Sequence, residues 1–310
     1  MVPRYDEGYC LDDNARALML MVLLEEEGVA DRKTVRALAS HYLAFVSHAF
    51  HPATGRFRNF LTYARTWAEV RGSEDSHGRA LWALGTVVGR ARDPGRRSLS
   101  SELFHAALHA VDDLSSPRAW AYALLGIDGY LRAFQGDTGV QTTRSRVAQR
   151  LLDLYTRTST DDWPWFEDHM TYCNARMPQA LVVSGAEMGR GDMVEAGTRA
   201  LNWLGTLQHT PDGYFAPVGS NGFYRRGAAV ARFDQQPVEA CGMVAAAVAA
   251  HRATGDARWT RYADSAFAWF LGQNHLQLPV YDVSTGGCRD GIHAARMNEN
   301  QGAESTISFL

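Results

Sequence analysis

Hydrophobic positions in this chain recur at the spacing of helices. Ala, Leu and Arg return every three to four residues along almost the whole length, and alternating runs of β-branched residues are nearly absent. The pattern predicts helices over 12–28, 32–49, 76–91, 98–112, 117–135, 142–157, 173–190, 193–208, 236–253, 257–272 and 301–310. Two kinds alternate among them. One is small and apolar on nearly every side, as in "ARALMLMVLL", "GRALWALGTVVG", "RAWAYALLGIDGYL", "MPQALVVSGAEMG" and "VEACGMVAAAVAA", and a helix without a polar face is a buried one. The other gathers Arg, Asp and Glu on one face, as in "DRKTVRALASHYLAFVSHAF" and "DARWTRYADSAFAWFLGQ", and covers a core from outside.

The apolar helices start near 12, 75, 117, 173, 236 and 302, a recurrence of roughly 40–65 residues that marks a repeat architecture. Each repeat is an αα-hairpin that cannot bury its inner helix alone. Six inner helices ringed by outer ones make an all-α (α/α)6 toroid, a single domain over residues 1–310, since no linker-like Pro/Gly/Ser stretch divides the chain. Eleven helices are visible where a full ring needs twelve, and "ESTISFL" ends the chain inside an apolar pattern. The expectation is a ring incomplete at its C-terminus, or a piece of a longer protein.

Charge and composition narrow the partners. A formal net charge of −3 over 310 residues offers no basic stripe for nucleic acid. No apolar run reaches the ~18–20 residues that span a bilayer, and "MVPRYDEGYC" has polar groups where a signal peptide is apolar. The expectation is a cytoplasmic protein with neither nucleic acid nor membrane as partner. Cys10, Cys173, Cys241 and Cys288 lie far apart, with no CxxC or HExxH, and read as unpaired thiols in a reducing compartment. Neither metal nor cofactor is expected.

The chemistry gathers just before and within the starts of the apolar helices. These read "YCLDDNAR" (Asp12, Asp13, Arg16), "SEDSHGR" (Glu74, Asp75, His77, Arg79), "SSPRAW" (Arg118, Trp120), "FEDHMTYCNAR" (Glu167, Asp168, His169, Tyr172, Asn174, Arg176), "FDQQPVEAC" (Asp234, Gln235, Gln236, Glu239) and "MNENQGAES" (Asn298, Glu299, Glu304). In a toroid these starts converge on one end of a central funnel. Helix capping accounts for single Asp, Asn or Ser residues there. It does not account for doubled carboxylates joined by His, Gln and Arg, and Arg opposes the dipole at a helix start. The loop "WPWFEDHM" adds Trp163 and Trp165. Aromatic faces with carboxylates, amides and guanidinium groups are the furniture of a carbohydrate pocket, so this loop is expected to form one wall of it.

With "LDDNARAL", "EDSHGRALWALG", "YCNARMPQAL" and the closing "CRDGIHAARMNENQGAEST", the chain resembles the six-hairpin glycosidase superfamily over essentially its whole length. It also resembles a helical module attached to bacterial glycosyltransferase-type proteins. The resemblance implies a glycoside hydrolase, often an inverting one, acting on an oligo- or polysaccharide. An inverting pair needs carboxyls ~6.5–9.5 Å apart, and a neighbouring carboxylate helps the acid keep its proton. Asp13 and Asp75 from adjacent repeats, with Glu167 or Asp168, are the catalytic candidates. Asp12, Glu74, His77, Trp163, Trp165, His169, Asn174, Arg176, Gln235, Gln236, Glu239, His293, Arg296 and Glu304 are the substrate-binding candidates. Three rival readings remain open on the same scaffold. A sugar epimerase or isomerase would draw its acid and base from His77, His169 and His293. A uronate lyase would use Tyr172 with Arg176 and Arg296. A carbohydrate-binding module would need no chemistry at all.

Overall fold

A computed structural model describes residues 5–310, and 58% of the chain is helical. Eleven α-helices are present among the described residues: α1 (Leu11–Glu27), α2 (Arg32–Ala49), α3 (Glu74–Arg90), α4 (Pro94–Leu108), α5 (Pro117–Leu131), α6 (Thr138–Thr158), α7 (Arg176–Met188), α8 (Gly191–Leu207), α9 (Pro237–Thr254), α10 (Arg258–Phe270) and α11 (Ala303–Phe309). Each answers to a helix expected from the sequence. The boundary of α4 moved because "DPG" opens the helix rather than a turn: the Asp93 carboxylate accepts from Arg96 N at 2.8 Å, with Pro94 in the first helical position.

Packing divides the chain into two compact units, residues 1–147 and 148–310, with α6 running through the boundary. In the first unit α1 pairs with α2 and α3 with α4, while α1, α3 and α5 lie side by side. The α3–α5 contact is one of backbone on backbone. A Cβ on Gly85 would lie 1.9 Å from the Gly126 carbonyl oxygen, and one on Gly126 would lie 2.5 Å from that of Leu81. The amphipathic α2 turns Val35, Ala39, Leu43 and Val46 inward at helical spacing. Buried Glu25 of α1 binds the outer helices through Arg96 Nη2 at 2.9 Å and Arg36 Nε at 3.0 Å, so its charge is compensated where it is desolvated.

In the second unit α7 pairs with α8 and α9 with α10, and α7 and α11 both pack on α9. Connections from an inner helix to its outer partner are short, from 189–190 to 132–137. Most of those leading into the next inner helix are long, such as 50–73, 208–236 and 271–302. The long ones are clipped by two-stranded antiparallel ladders. Tyr9–Cys10 pairs with Phe60–Leu61, Phe50–His51 with Arg56–Phe57, and His169–Met170 with Tyr224–Arg225. Tyr281–Asp282 pairs with Gly287–Cys288, and Gly291–Ile292 with Met297–Asn298. Within each unit, the ordered loops thus collect where inner helices begin. No described helix is long and apolar enough to cross a membrane.

Candidate functional site

In the first unit Asp12, Glu74 and Asp75 at the starts of α1 and α3 reach toward neighbouring helices, while Asp13 pairs within α1, and none of the four stands at a cap position. The cap positions are Cys10, Ser73 and Ser116. Asp12 pairs with Arg79 Nε of α3 at 3.4 Å, and the Arg79 guanidinium lies 4.3 Å over the Tyr122 ring of α5. Asp13 pairs with Arg16 at 3.1 Å. Asp75 accepts from Ser116 Oγ at 2.9 Å. Glu74 accepts from Ser115 N at 2.7 Å and Ser116 N at 2.6 Å. Burial opposes the charge on Glu74, but the donors of Ser116 and Ser115 outweigh it and hold the carboxyl below its ordinary range. Glu74 therefore acts as a tie between α3 and α5. Asp12, Asp13 and Asp75 remain partly exposed on two neighbouring helices.

His77 is a correction. It is fully buried with its ring 5.5 Å from that of Phe57, so it presents no nitrogen to a sugar. Burial, with the Arg56 guanidinium adding to it, pushes its pKa down to about 3. Between pH 6.5 and about 3 the unfolded chain binds a proton there that the folded chain refuses, so stability falls as pH falls through that window. The expected slope is up to ~1.4 kcal/mol per pH unit from this one group. Chemical denaturation of His77→Leu from pH 7 to 4 should show a shallower decline than the parent chain. Equal slopes would mean another group carries the dependence.

The aromatic loop before α7 is a second correction. Trp163 is 2% exposed and Trp165 0% exposed. Trp163 meets Trp203 of α8 and Tyr224 edge-on, both at 5.0 Å, and its Nε1 donates to the Glu167 carbonyl at 2.8 Å. Trp165 packs on Trp203 at 5.8 Å and Phe166 on Tyr155 of α6 at 5.2 Å. These rings fill the space between loop and outer helices; they offer no face to a ligand. Glu167 is half-buried beside them. Asp168 and His169 are exposed, His169 on the ladder opposite Arg225 and Asp168 just before it.

Several other predicted binding groups bind the protein itself. Buried Glu239 of α9 accepts from Cys173 N and from Asn174 Nδ2, the latter at 3.0 Å. Asn174 also closes on Thr171, accepting from its N at 3.1 Å and donating to its carbonyl at 3.0 Å. Arg176 donates to Gln179 Oε1 at 2.8 Å and to Cys241 Sγ at 3.6 Å. Together these fasten the start of α7 to α9. Buried Gln235 accepts from Trp269 Nε1 at 2.9 Å and donates to the Arg232 carbonyl at 2.9 Å.

One pair in the second unit is built differently. His293 Nδ1 is hydrogen-bonded to Asp234 Oδ1, and the two side chains are 26% and 38% exposed. The backbone imposes this meeting: Gln235 N donates to the Ile292 carbonyl and Ile292 N to the Gln235 carbonyl, each at 2.9 Å. Gly291 permits the approach, because at φ 154° a Cβ there would lie 2.2 Å from the Gln235 oxygen. His293 N also donates to the Arg296 carbonyl at 2.9 Å, closing the turn that exposes Arg296. With Nδ1–H given to a carboxylate, the lone pair is on Nε2, which has no hydrogen-bond partner among the described residues. A partly exposed imidazole with Nδ1–H held by a carboxylate has the arrangement that lets Nε2 accept a proton. Gln236, half-buried, heads α9 beside it, and Glu304 lies half-buried in the first turn of α11. Among the described residues no cluster of His, Cys, Asp and Glu is placed to hold a metal ion.

The sequence matches no family model and no curated protein. Solved structures are similar in shape. A sugar epimerase from a ruminal bacterium superposes with a TM-score of 0.74 at 12% identity, over 99% of this chain and 88% of that one. Cellobiose 2-epimerase from Bacillus thermoamylovorans B4167 gives 0.73 at 9% identity, over 99% and 89%. An unsaturated glucuronyl hydrolase specific for heparin gives 0.57 at 12%, over 90% and 74%. All have the six-hairpin fold of the glycosidase superfamily, and this chain has the same (α/α)6 toroid fold.

Proposed function

We propose that the chain is a carbohydrate-active enzyme that epimerises or isomerises a sugar by moving a proton next to a carbonyl. The partly exposed His293–Asp234 pair carries this reading. In the open-chain form of an aldose, the C–H adjacent to the carbonyl is the acidic one. Neutral His293 would take that proton on Nε2 while Asp234 holds Nδ1–H and stabilises the imidazolium that forms. The C–H electrons pass into an enediolate, whose negative charge suits a guanidinium; Arg296 is the exposed one on the same turn. If the enediolate turns its other face to His293, return of the proton from Nε2 to the same carbon gives the epimer; if a proton passes between the two enediolate oxygens, its return to the former carbonyl carbon gives the isomer. The mass of the sugar is unchanged in both. The names of the similar structures, two epimerases above, agree with this chemistry.

A hydrolase acting on an oligo- or polysaccharide through Asp13 and Asp75 is the second reading, favoured by their partly exposed carboxylates on adjacent helices. It is the weaker one. Asp13 is ion-paired and Asp75 is hydrogen-bonded to Ser116, and a carboxylate held by a guanidinium suits binding or proton acceptance better than proton donation. Incubation with a panel of aldoses and oligosaccharides in D2O separates the two. The proposal expects a product of unchanged connectivity carrying one deuterium at the carbon beside the carbonyl. New reducing ends without carbon-bound deuterium would make it a hydrolase, and sugar bound but unaltered would make it a binding module.

A further inference from the structure

His275 has no part in the steps above, yet it touches both halves of the acid/base pair's scaffold. It lies in the connection after α10, half-buried. Its ring meets that of Phe233 edge-on, with centroids 4.8 Å apart at 61°. Its Nε2 lies 3.3 Å from the carbonyl oxygen of Ala294. Phe233 is the residue before Asp234, and Ala294 is the residue after His293. One imidazole therefore bridges the two segments whose side chains must meet.

We infer that His275 is a positioning residue for the His293–Asp234 pair: its ring braces Phe233 and its Nε2–H tethers Ala294, fixing the separation of the two partners. The inference rests on reading that pair as the acid/base. The bond to a carbonyl requires a proton on Nε2, so His275 is the donor here and the Ala294 carbonyl the acceptor. The segment it tethers is the tip of the ladder between Gly291–Ile292 and Met297–Asn298. Residues 294–296 are exposed, and the bond from His293 N to the Arg296 carbonyl constrains the turn only from inside. The ladder between Gln235 and Ile292 sets the backbone register, and Ser220 N and Asn221 N hold one segment through the Asp234 and Phe233 carbonyls at 2.9 and 3.1 Å; one residue beyond the ladder, the side chain of His275 touches both segments. Small displacements matter there, because a misplacement of about 1 Å in an acid/base group can cost ~10²-fold in rate.

Two substitutions separate the tether from mere space-filling. His275→Phe keeps a ring against Phe233 and removes the donor. His275→Gln places an amide N–H near the position of Nε2. The direct readout is the low-field imidazole N–H proton of His293 in histidine-labelled protein, identified by its disappearance in Asp234→Asn. In His275→Phe this resonance should broaden into exchange with water, and kcat should fall ~10–100-fold with KM changed less than about threefold. In His275→Gln both should stay close to the parent chain, with melting temperatures of all variants within a few degrees. A His275→Phe protein with an intact resonance and full kcat would overturn the inference, as would a His275→Gln protein that behaves like His275→Phe. If His275→Phe fails to fold, His275→Asn, whose amide is too short to reach, takes its place against His275→Gln. The resonance needs no substrate. A chain that turns over no sugar but shows the expected resonance pattern would retain His275 as the brace of the pair and overturn the epimerase reading alone.

Discussion

His293→Asn should leave a folded protein that no longer exchanges the sugar's carbon-bound proton, with kcat/KM down by ~10²–10⁴-fold, the usual contribution of a positioned acid/base group. The substitution is chosen for what it keeps. An asparagine amide can still donate to Asp234 from the place of Nδ1, so the ladder and the turn have no reason to shift, and the side chain is only partly buried. What disappears is Nε2. Asp234→Asn should act through the tautomer. An amide N–H facing Nδ1 moves the imidazole proton to Nε2 and closes the base, so a loss of ~10²-fold or more is expected without His293 being touched. The two effects should not add, because both remove the same function. Full proton exchange in both variants, with melting temperatures unchanged, would place the chemistry elsewhere, and the carboxylates at the starts of α1 and α3 would be next in line.

The fold was legible because helical periodicity depends on neighbours three and four residues apart, and every such neighbour is in view. That is why α5 reads correctly from "RAWAYALLGIDGYL" alone. Capping chemistry was partly hidden, as Asp93 and Pro94 show, because the same dipeptide opens helices and turns. The site depended on longer reach. Trp163 and Trp165 looked like a ligand wall, since their packing partners Trp203 and Tyr224 are some 40 to 60 residues away and nothing local marks the loop as inward-facing. His77 stands between Asp75 and Arg79 in the sequence, but helix geometry turns it from the carboxylates toward Phe57. The His293–Asp234 pair joins residues separated by 59 positions, and His275 reaches it through a backbone carbonyl, which no residue pattern records. The glycine beside the pair was the available clue: Gly291 interrupts "CRDGIHAAR" where the backbones close.

The other large effect belongs to the fold itself. Gly85→Ala should destabilise the protein by about 3 kcal/mol or more, at or beyond the upper end of ordinary overpacking. Replacing glycine by alanine inside a helix normally helps, by roughly 0.5–1 kcal/mol, because the backbone loses less freedom on folding. Here the new methyl would sit 1.9 Å from the Gly126 oxygen, where the obstacle is backbone and cannot rotate away. Helices α3 and α5 would have to separate. That would disturb the tie from Glu74 to Ser115 and Ser116 and the stacking of Arg79 on Tyr122, which cross the same interface. Gly126→Ala meets the Leu81 oxygen at 2.5 Å from the opposite side and should be comparably harmful. The double variant should be less destabilised than the sum, since one separation of the helices relieves both clashes. Gly136→Ala is the control: it lies in the link after α5 with nothing within 4 Å of the added carbon, and should change stability by less than about 1 kcal/mol. Denaturant midpoints for the four proteins decide the matter. If Gly85→Ala unfolds no earlier than Gly136→Ala, then α3 and α5 are not in backbone contact, and the glycines of the inner helices have another purpose.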